Sequence, residues 1–189
     1  MRTTPPDNHL PDSEIDAVIA FWSEAGPKRW FTKHAAFDTE FRSRFFADHQ
    51  AAARGELDHW ADDARGALAL VILLDQFPRN AFRGTARMYA TDHLAREVAA
   101  RAIAAGFDLQ LAAELRLFFY LPYAHSESLA DQDRSVELSN RLGSESVKHA
   151  IEHRAIIRRF GRFPHRNEIL GRATTTEEQD FLDAGGFAG

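Results

Sequence analysis

Apolar residues recur at helical spacing along most of the chain, and no segment alternates apolar and polar positions as a β-strand does. Helix-favouring alanine, leucine, arginine and glutamate are abundant, whereas runs of β-branched residues are scarce. Ile15, Val18, Ile19 and Trp22 illustrate the pattern, because this spacing puts them on one helix face. Short connectors favour antiparallel helical hairpins. The sequence therefore predicts an all-α fold of about eight helices, stacked as antiparallel hairpins.

Capping residues, glycines and prolines set the expected bounds of these helices. The helices are predicted at about 13–24, 37–54, 63–77, 85–105, 109–121, 128–142, 144–160 and 175–184. Pro78 is expected to end the third helix, because a proline pushes the residue before it, here Phe77, out of the helical region. Thr85 is expected to begin the fourth helix, and Asp108 to cap the fifth.

Composition is that of a globular protein with one sizeable core. Of the 189 residues, 44% are hydrophobic and 27% are charged. Residues 1–12 contain three prolines and are predicted to form an extended arm, and residues 13–189 a single all-α domain. The first residues include no apolar stretch, so no signal peptide is expected.

Charge and cysteine content narrow the classes of partner. The net charge of −5 argues against non-specific binding to nucleic acid or to an acidic membrane. No apolar run approaches the roughly 18 residues that cross a bilayer. The chain has no cysteine, which excludes disulfides, thiolate metal sites and a cysteine nucleophile and fits a cytoplasmic location. No cofactor is expected.

Two similar turns combine phenylalanine, proline and arginine. "LLDQFPRNAFRG" and "RFGRFPHRNEILGR" both run from an apolar helix into Phe-Pro, then basic residues and asparagine, and then glycine. In each turn, the Phe-Pro pair is expected to hold an extended phenylalanine before a new helical N-terminus. Free amides at such an N-terminus attract anions, and arginine offers a planar fork for carboxylate or phosphate. The expected ligand-binding residues here are Arg79, Asn80, Arg83, Arg162, Arg166 and Asn167. The alternative is purely structural: the arginines pair with carboxylates such as Asp75 or Glu168.

A third segment, "YLPYAHSESLADQ", carries acid–base candidates. Pro122 is expected to interrupt an apolar helix, so that the side chains after it, including His125 and Glu127, point sideways from the break. His125 would act as a general base or a metal ligand, and Glu127 would orient it or bind the metal, whereas Tyr120 would form neutral hydrogen bonds to a ligand. The alternative is an ordinary interhelical turn capped by Ser126 or Ser128.

The segment "HAIEH" places His149 and His153 four residues apart on one helix face. The spacing suits two ligands of one metal, but the segment lacks the H-E-x-x-H pattern. Nearby arginines favour an anion over a cation, so no metal site is predicted, and His153 is grouped with the ligand-binding residues.

Three long segments resemble one bacterial family. "LVILLDQFPRNAFRGTARMYATD", "RLFFYLPYAHSESLADQDRSV" and "HRAIIRRFGRFPHRNEILGRATTTEEQDFL" are similar to domain of unknown function 924, and the terminal "FAG" resembles the usual ending of that family. The resemblance implies a tetratricopeptide-like all-α fold with helical hairpins around a groove. It supplies no catalytic residues, because the function of the family is unsettled.

These patterns leave three hypotheses for function. The first is a polar, arginine-lined groove that binds a small anionic molecule or a peptide carboxylate. The second is a hydrolase or lyase for an anionic substrate, in which His125 or His165 is the acid–base group and Asp75 or Glu127 orients it. A metal-dependent version of this hypothesis requires any three of five side chains to converge on one ion: Asp75, His125, Glu127, His153 and His165. The third is a protein-interaction scaffold without a pocket.

Overall fold

The structure is a computed structural model that describes residues 13–188, and these residues contain helices but no strand. The fold in this part of the chain is therefore all-α. The helices are α1 (Ser13–Ala25), α2 (Pro27–Trp30), α3 (Ala35–Ala53), α4 (Ala64–Val71), α5 (Phe77–Ala81), α6 (Asp92–Ala104), α7 (Ala113–Ala124), α8 (Leu129–Ser139), α9 (Ser144–Phe160) and α10 (Thr176–Asp183). The arm predicted for residues 1–12 lies outside the described residues.

Helix α4 runs through the centre of the domain. Residues 67–74 are all at most 2% exposed, so this helix is apolar on every side, as a fully enclosed helix must be. It packs against α1, α6 and α7. Aromatic side chains of α1 and α3 close one side of the core, with Phe21 stacked on Phe37 and on Phe41. Burial of such rings is the largest favourable contribution to the stability of a core.

Helices α6, α7 and α8 each pack against the next helix along the chain. Short connectors between helices predicted such sequential contacts. The closer likeness to tetratricopeptide repeats stays a prediction. No helix within residues 13–188 is both long enough and apolar enough to cross a lipid bilayer.

The prediction that Pro78 ends the third helix is wrong. Phe77 has helical angles (φ −55°, ψ −49°), and the helix continues through Ile72–Gln76 as a π-helical turn and then as α5. A π-turn widens the helix, and the Phe77 amide donates to the Ile72 carbonyl, five residues back. The proline thus fits inside the helix, and the Phe77-Pro78 pair forms no new helical N-terminus. Only Phe163 is extended as expected (φ −88°, ψ 110°).

The widened turn leaves two carbonyls without their usual partners, and distant side chains satisfy both. Leu74 has no amide four residues later, because that residue is Pro78, and its oxygen accepts the Thr91 hydroxyl at 2.5 Å. The Leu73 oxygen accepts from His49 Nδ1 at 2.9 Å. Tertiary contacts therefore stabilise this irregular helix.

Three further expectations are corrected. Thr85 precedes only a 3₁₀ turn at Ala86–Tyr89, and the regular helix begins at Asp92. Asp108 lies in another 3₁₀ turn, with its carboxylate buried against Tyr120, so it does not cap α7. Pro122 does not interrupt α7, which continues to Ala124, because a proline in the last turn costs few backbone hydrogen bonds.

The C-terminal part packs as a small second core of Ile156, Ile157 and Phe163, with Phe160 and Phe181 beside it. Here the predicted capping box is confirmed: the hydroxyl of Thr175 accepts from the Glu178 amide, and the Glu178 carboxylate accepts from the Thr175 amide. This core positions the second Phe-Pro turn.

Candidate functional site

The π-turn holds a carboxylate that is completely enclosed. Asp75 has no exposed side-chain area. Its Oδ1 lies 2.8 Å from His125 Nδ1 and 3.1 Å from Arg79 Nη1, and its Oδ2 accepts from Gln76 Nε2 at 2.6 Å. Both oxygens are therefore satisfied, as a buried carboxylate requires.

The protonation states follow from this arrangement. Burial alone would raise the pKa of Asp75, but Arg79 and His125 outweigh it and hold that pKa at about 2. Burial and the charge of Arg79 lower the pKa of His125 below its usual 6.5. At neutral pH, Asp75 is ionised, and neutral His125 donates its Nδ1–H to it. Nε2 then carries a lone pair, and the described residues offer it no hydrogen-bond partner.

Asp92 connects the two Phe-Pro turns. Arg79 donates to both oxygens of the Asp92 carboxylate at 2.8 and 3.0 Å, and it also donates to the Asp75 carbonyl. Arg166 of the second turn approaches the same carboxylate, with Nη1 3.9 Å from Oδ2. The two turns, far apart in sequence, thus meet at one carboxylate.

Arg166 differs from the other buried arginines of the site. Its guanidinium lies over the rings of Tyr89 and Phe163, with 4.5 and 4.6 Å from Cζ to the ring centroids. Only 8% of the side chain is exposed, and Nε is buried with no partner. Within residues 13–188, no acceptor meets hydrogen-bond geometry with any of its donors. Burial and the repulsion of Arg79 lower its pKa. We call this guanidinium, together with the rings of Tyr89 and Phe163 against it, the Arg166 slot.

Aromatic rings and histidines surround Phe163. The rings of His153 and His165 both lie 5.6 Å from it, centroid to centroid, and Phe187 contacts both histidines at 4.5 and 5.1 Å. Burial, followed by the charge of Arg166, lowers the pKa of His165 to about 4, and its Nδ1 is buried without a partner. Burial also lowers the pKa of His153. Both rings are therefore neutral at neutral pH.

The remaining predicted residues are engaged by carboxylates. Arg83 and Asn80 donate to Asp38, at 2.7 and 2.8 Å. Arg162 and Asn167 donate to Glu178, at 2.6 and 3.2 Å. The four arginines therefore do not converge on one space: the structure brings Arg79 and Arg166 together and holds Arg83 and Arg162 in separate ion pairs.

Glu127 and Tyr120 also have structural partners. Glu127 accepts from the Phe163 amide at 2.8 Å and pairs with both terminal nitrogens of Arg172, which fastens the second Phe-Pro turn to the loop after α7. Burial would raise the pKa of Glu127, but Arg172 lowers it overall. The Tyr120 hydroxyl donates to Asp108 at 2.6 Å. Of the two proposed orienting carboxylates, Asp75 is thus the one that contacts His125.

Two other features bear on the predicted site. No group of three acidic or histidine side chains within residues 13–188 is arranged to hold a metal ion, which the metal variant of the enzyme hypothesis requires. A cavity of about 430 Å³ also exists, but none of the predicted site residues lines it; its walls are Ala52, Gly55, Asp58, Leu74, Leu94, Glu97, Val98, Ala100 and Arg101.

Sequence reasoning missed Asp92 and Tyr89. Both were assigned to the interior of one continuous helix from Thr85, where nothing distinguishes them. The dipeptide Thr91-Asp92 is a usable signal, because threonine and aspartate favour helix starts. No local feature of the sequence indicates that Arg79 and Arg166 both approach the Asp92 carboxylate.

Comparisons with known proteins agree with one another. The family model described as "Bacterial protein of unknown function (DUF924)" matches residues 18–186. The solved structure of a protein of unknown function from Agrobacterium tumefaciens is 54% identical, with a TM-score of 0.89, and the match covers 90% of this chain and 97% of that one. No curated protein matches significantly. The chain therefore belongs to the DUF924 family of bacterial proteins of unknown function.

Proposed function

We propose that this protein binds a small carboxylate in the Arg166 slot. The observation that carries the proposal is a guanidinium that is 8% exposed and makes no hydrogen bond to the described residues. A buried guanidinium without a hydrogen-bond acceptor is costly to a fold even with the Asp92 carboxylate 3.9 Å away, and an anionic ligand that accepts its hydrogen bonds offsets that cost.

The shape of the slot favours a planar anion. Tyr89 and Phe163 lie against the guanidinium, so its donors point outward within its own plane. A carboxylate presents two oxygens in one plane and pairs with arginine through two parallel hydrogen bonds. A tetrahedral phosphate matches this geometry less well.

The charges around the slot favour a single negative charge. Arg79 and Arg166 face Asp75 and Asp92, and Arg172 is neutralised by Glu127. The cluster is thus balanced before a ligand binds, because the three histidines nearby are neutral. A monoanionic group disturbs this balance less than a doubly charged phosphate.

Calorimetric titration with a series of carboxylates from acetate to citrate, and with inorganic phosphate, tests the proposal. We expect the wild-type protein to bind at least one carboxylate more tightly than phosphate, with an affinity that falls as salt is added. Arg166→Gln should weaken that binding about 10- to 100-fold, the effect of losing one charge-assisted bidentate pair.

The matched control is Arg158→Gln, which removes the same charge from an exposed position on α9. This variant should bind like the wild type. The proposal fails if no carboxylate binds to the wild-type protein, or if Arg166→Gln and Arg158→Gln bind the carboxylate equally well.

A further inference from the structure

The His125–Asp75 pair has the geometry of a catalytic base, and its role rests on the proposed binding of a carboxylate at Arg166. We infer that His125 activates a water molecule, which hydrolyses an ester bond in a small molecule anchored by its carboxylate in the Arg166 slot. The substrate class is therefore a carboxylate-bearing ester.

Asp75 fixes both the orientation and the tautomer of the base. The His125 Nδ1 atom donates at 2.8 Å to a carboxylate that is itself held by Arg79 and Gln76. A ring held in this way keeps its other nitrogen, Nε2, unprotonated. The His125 side chain is 19% exposed, so a water molecule can reach it. Asp75 is a positioning residue, because it acts through His125.

The base and the anchor belong to one continuous cluster. Asp75, Arg79 and Asp92 link His125 to Arg166 through contacts of 2.8 to 3.9 Å. A molecule bound at Arg166 through its carboxylate would reach His125 by extending along this cluster.

Water is the nucleophile that this site supports. The chain has no cysteine, and the hydroxyl of Ser126, next to His125, donates to Asp131 at 2.6 Å. His125 Nε2 takes one proton from water as the water oxygen bonds to the ester carbonyl carbon. The carbon–oxygen bond to the alcohol then breaks, and the proton on Nε2 passes to the departing alkoxide. The products are a carboxylic acid, which ionises, and an alcohol, so atoms and charge balance.

The test compares an anionic and a neutral activated ester. Mono-4-nitrophenyl succinate carries a free carboxylate, and 4-nitrophenyl butyrate is a neutral ester of the same chain length. Each rate is taken after subtraction of the protein-free rate of the same ester, which is fast for the succinate because its own carboxylate attacks the ester. We expect the wild-type protein to hydrolyse the succinate ester with saturation and with a clear preference over the butyrate. His125→Asn should lose about 100-fold or more of this rate, the usual contribution of a general base. His149→Asn, an exposed histidine of α9, serves as the control and should keep it.

The pH profile and an isotope effect separate a base from a nonspecific nucleophile. Asp75 contacts His125 directly, Arg79, Asp92 and His153 are the other charged or titratable groups around it, and the lowered pKa of His125 keeps its ring unprotonated through neutral pH. The rate should therefore fall only below pH 6.5, the ordinary value, and should be slower in D₂O. Asp75→Asn should shift this profile, which a merely structural role would not do.

The test of carboxylate binding and the test of ester hydrolysis can fail independently. If succinate binds through Arg166 but the succinate ester is hydrolysed no faster by the wild type than by His125→Asn, the inference is wrong and the proposed function stands. If no carboxylate of the series and neither ester binds to the wild-type protein, both are wrong.

Discussion

At the scale of single residues, the partner of an arginine decides its role. Arg79, Arg83, Arg162 and Arg172 each pair with a carboxylate through two nitrogens, whereas Arg166 makes no hydrogen bond to the described residues. All of them lie in or near a Phe-Pro turn, so their local sequences do not separate them. The carboxylates are 13 to 45 positions away. The sequence therefore identified the relevant turns, but it did not identify Arg166 as the arginine without a hydrogen-bond acceptor among the described residues.

This difference predicts opposite effects on stability for two similar substitutions. Arg79→Met leaves Asp75 and Asp92 buried without their main partner and should lower the free energy of unfolding by about 3–5 kcal/mol. Arg166→Met removes a buried guanidinium that makes no hydrogen bond to the described residues and comes no closer to Asp92 than 3.9 Å, and it should change that free energy by less than about 1 kcal/mol, or raise it. Denaturant unfolding measures both.

If Arg166→Met destabilised the protein as much as Arg79→Met, Arg166 would be structural. The Arg166 slot would then lose its main support as a ligand site.

At the scale of elements, local signals predicted three helix starts correctly and failed at Thr85 and Asp108. Asp63, Ser128 and Thr175 each accept hydrogen bonds from the first amides of the helix that follows, as their sequences indicated. The rule for Pro78 failed because it assumes a regular α-helix on both sides. The π-turn removes the clash, and the side chains that make the turn possible, His49 and Thr91, lie 24 and 17 residues from their carbonyls.

Thr91→Val tests this account of the π-turn. Valine has nearly the shape of threonine but cannot donate to the buried Leu74 oxygen, so the free energy of unfolding should fall by about 1–3 kcal/mol. The matched control is Thr32→Val, whose hydroxyl donates to the Lys28 carbonyl on the surface. It should change stability by less than about 0.5 kcal/mol. Equal effects of the two substitutions would contradict a special need for Thr91.

At the scale of the whole molecule, the helical spacing of apolar residues predicted the all-α class. The two similar Phe-Pro turns predicted that their residues lie in one region. The meeting of these turns depends on α6, which brings Asp92 between Arg79 and Arg166. Sequence alone did not give that placement, because it is set by how α6 packs against α4 and α7.

The burial of four histidines determines how the free energy of unfolding should depend on pH. His49, His125, His153 and His165 all have a pKa below the ordinary 6.5, mainly because of burial. The unfolded chain therefore binds more protons than the folded chain once the pH falls below about 6.5. Stability should be full above that value and should decrease toward pH 4, the pKa of His165. Asp75 and Glu178, each with a pKa of about 2, lose their contribution as the pH falls from their ordinary values of 3.8 and 4.5 toward 2.

Unfolding by urea at a series of pH values from neutral to mildly acidic measures this slope. His49→Gln, which removes one buried histidine far from the Arg166 slot in sequence, should make the slope shallower. A stability that stays constant or rises as the pH falls from 6.5 toward 4 would contradict the predicted burial of neutral histidines.

The most direct test of the central claim is the NMR signal of the Arg166 Nε–H group, assigned by its loss in Arg166→Lys. In the free protein, this proton has no acceptor among the described residues and lies between two aromatic rings, so its signal should be shifted upfield. Addition of the best-binding carboxylate should move it strongly downfield in a saturable manner, as a new charge-assisted hydrogen bond forms. A signal that remains unchanged while carboxylates are added to high concentration would contradict the claim that Arg166 is held open for an anionic ligand.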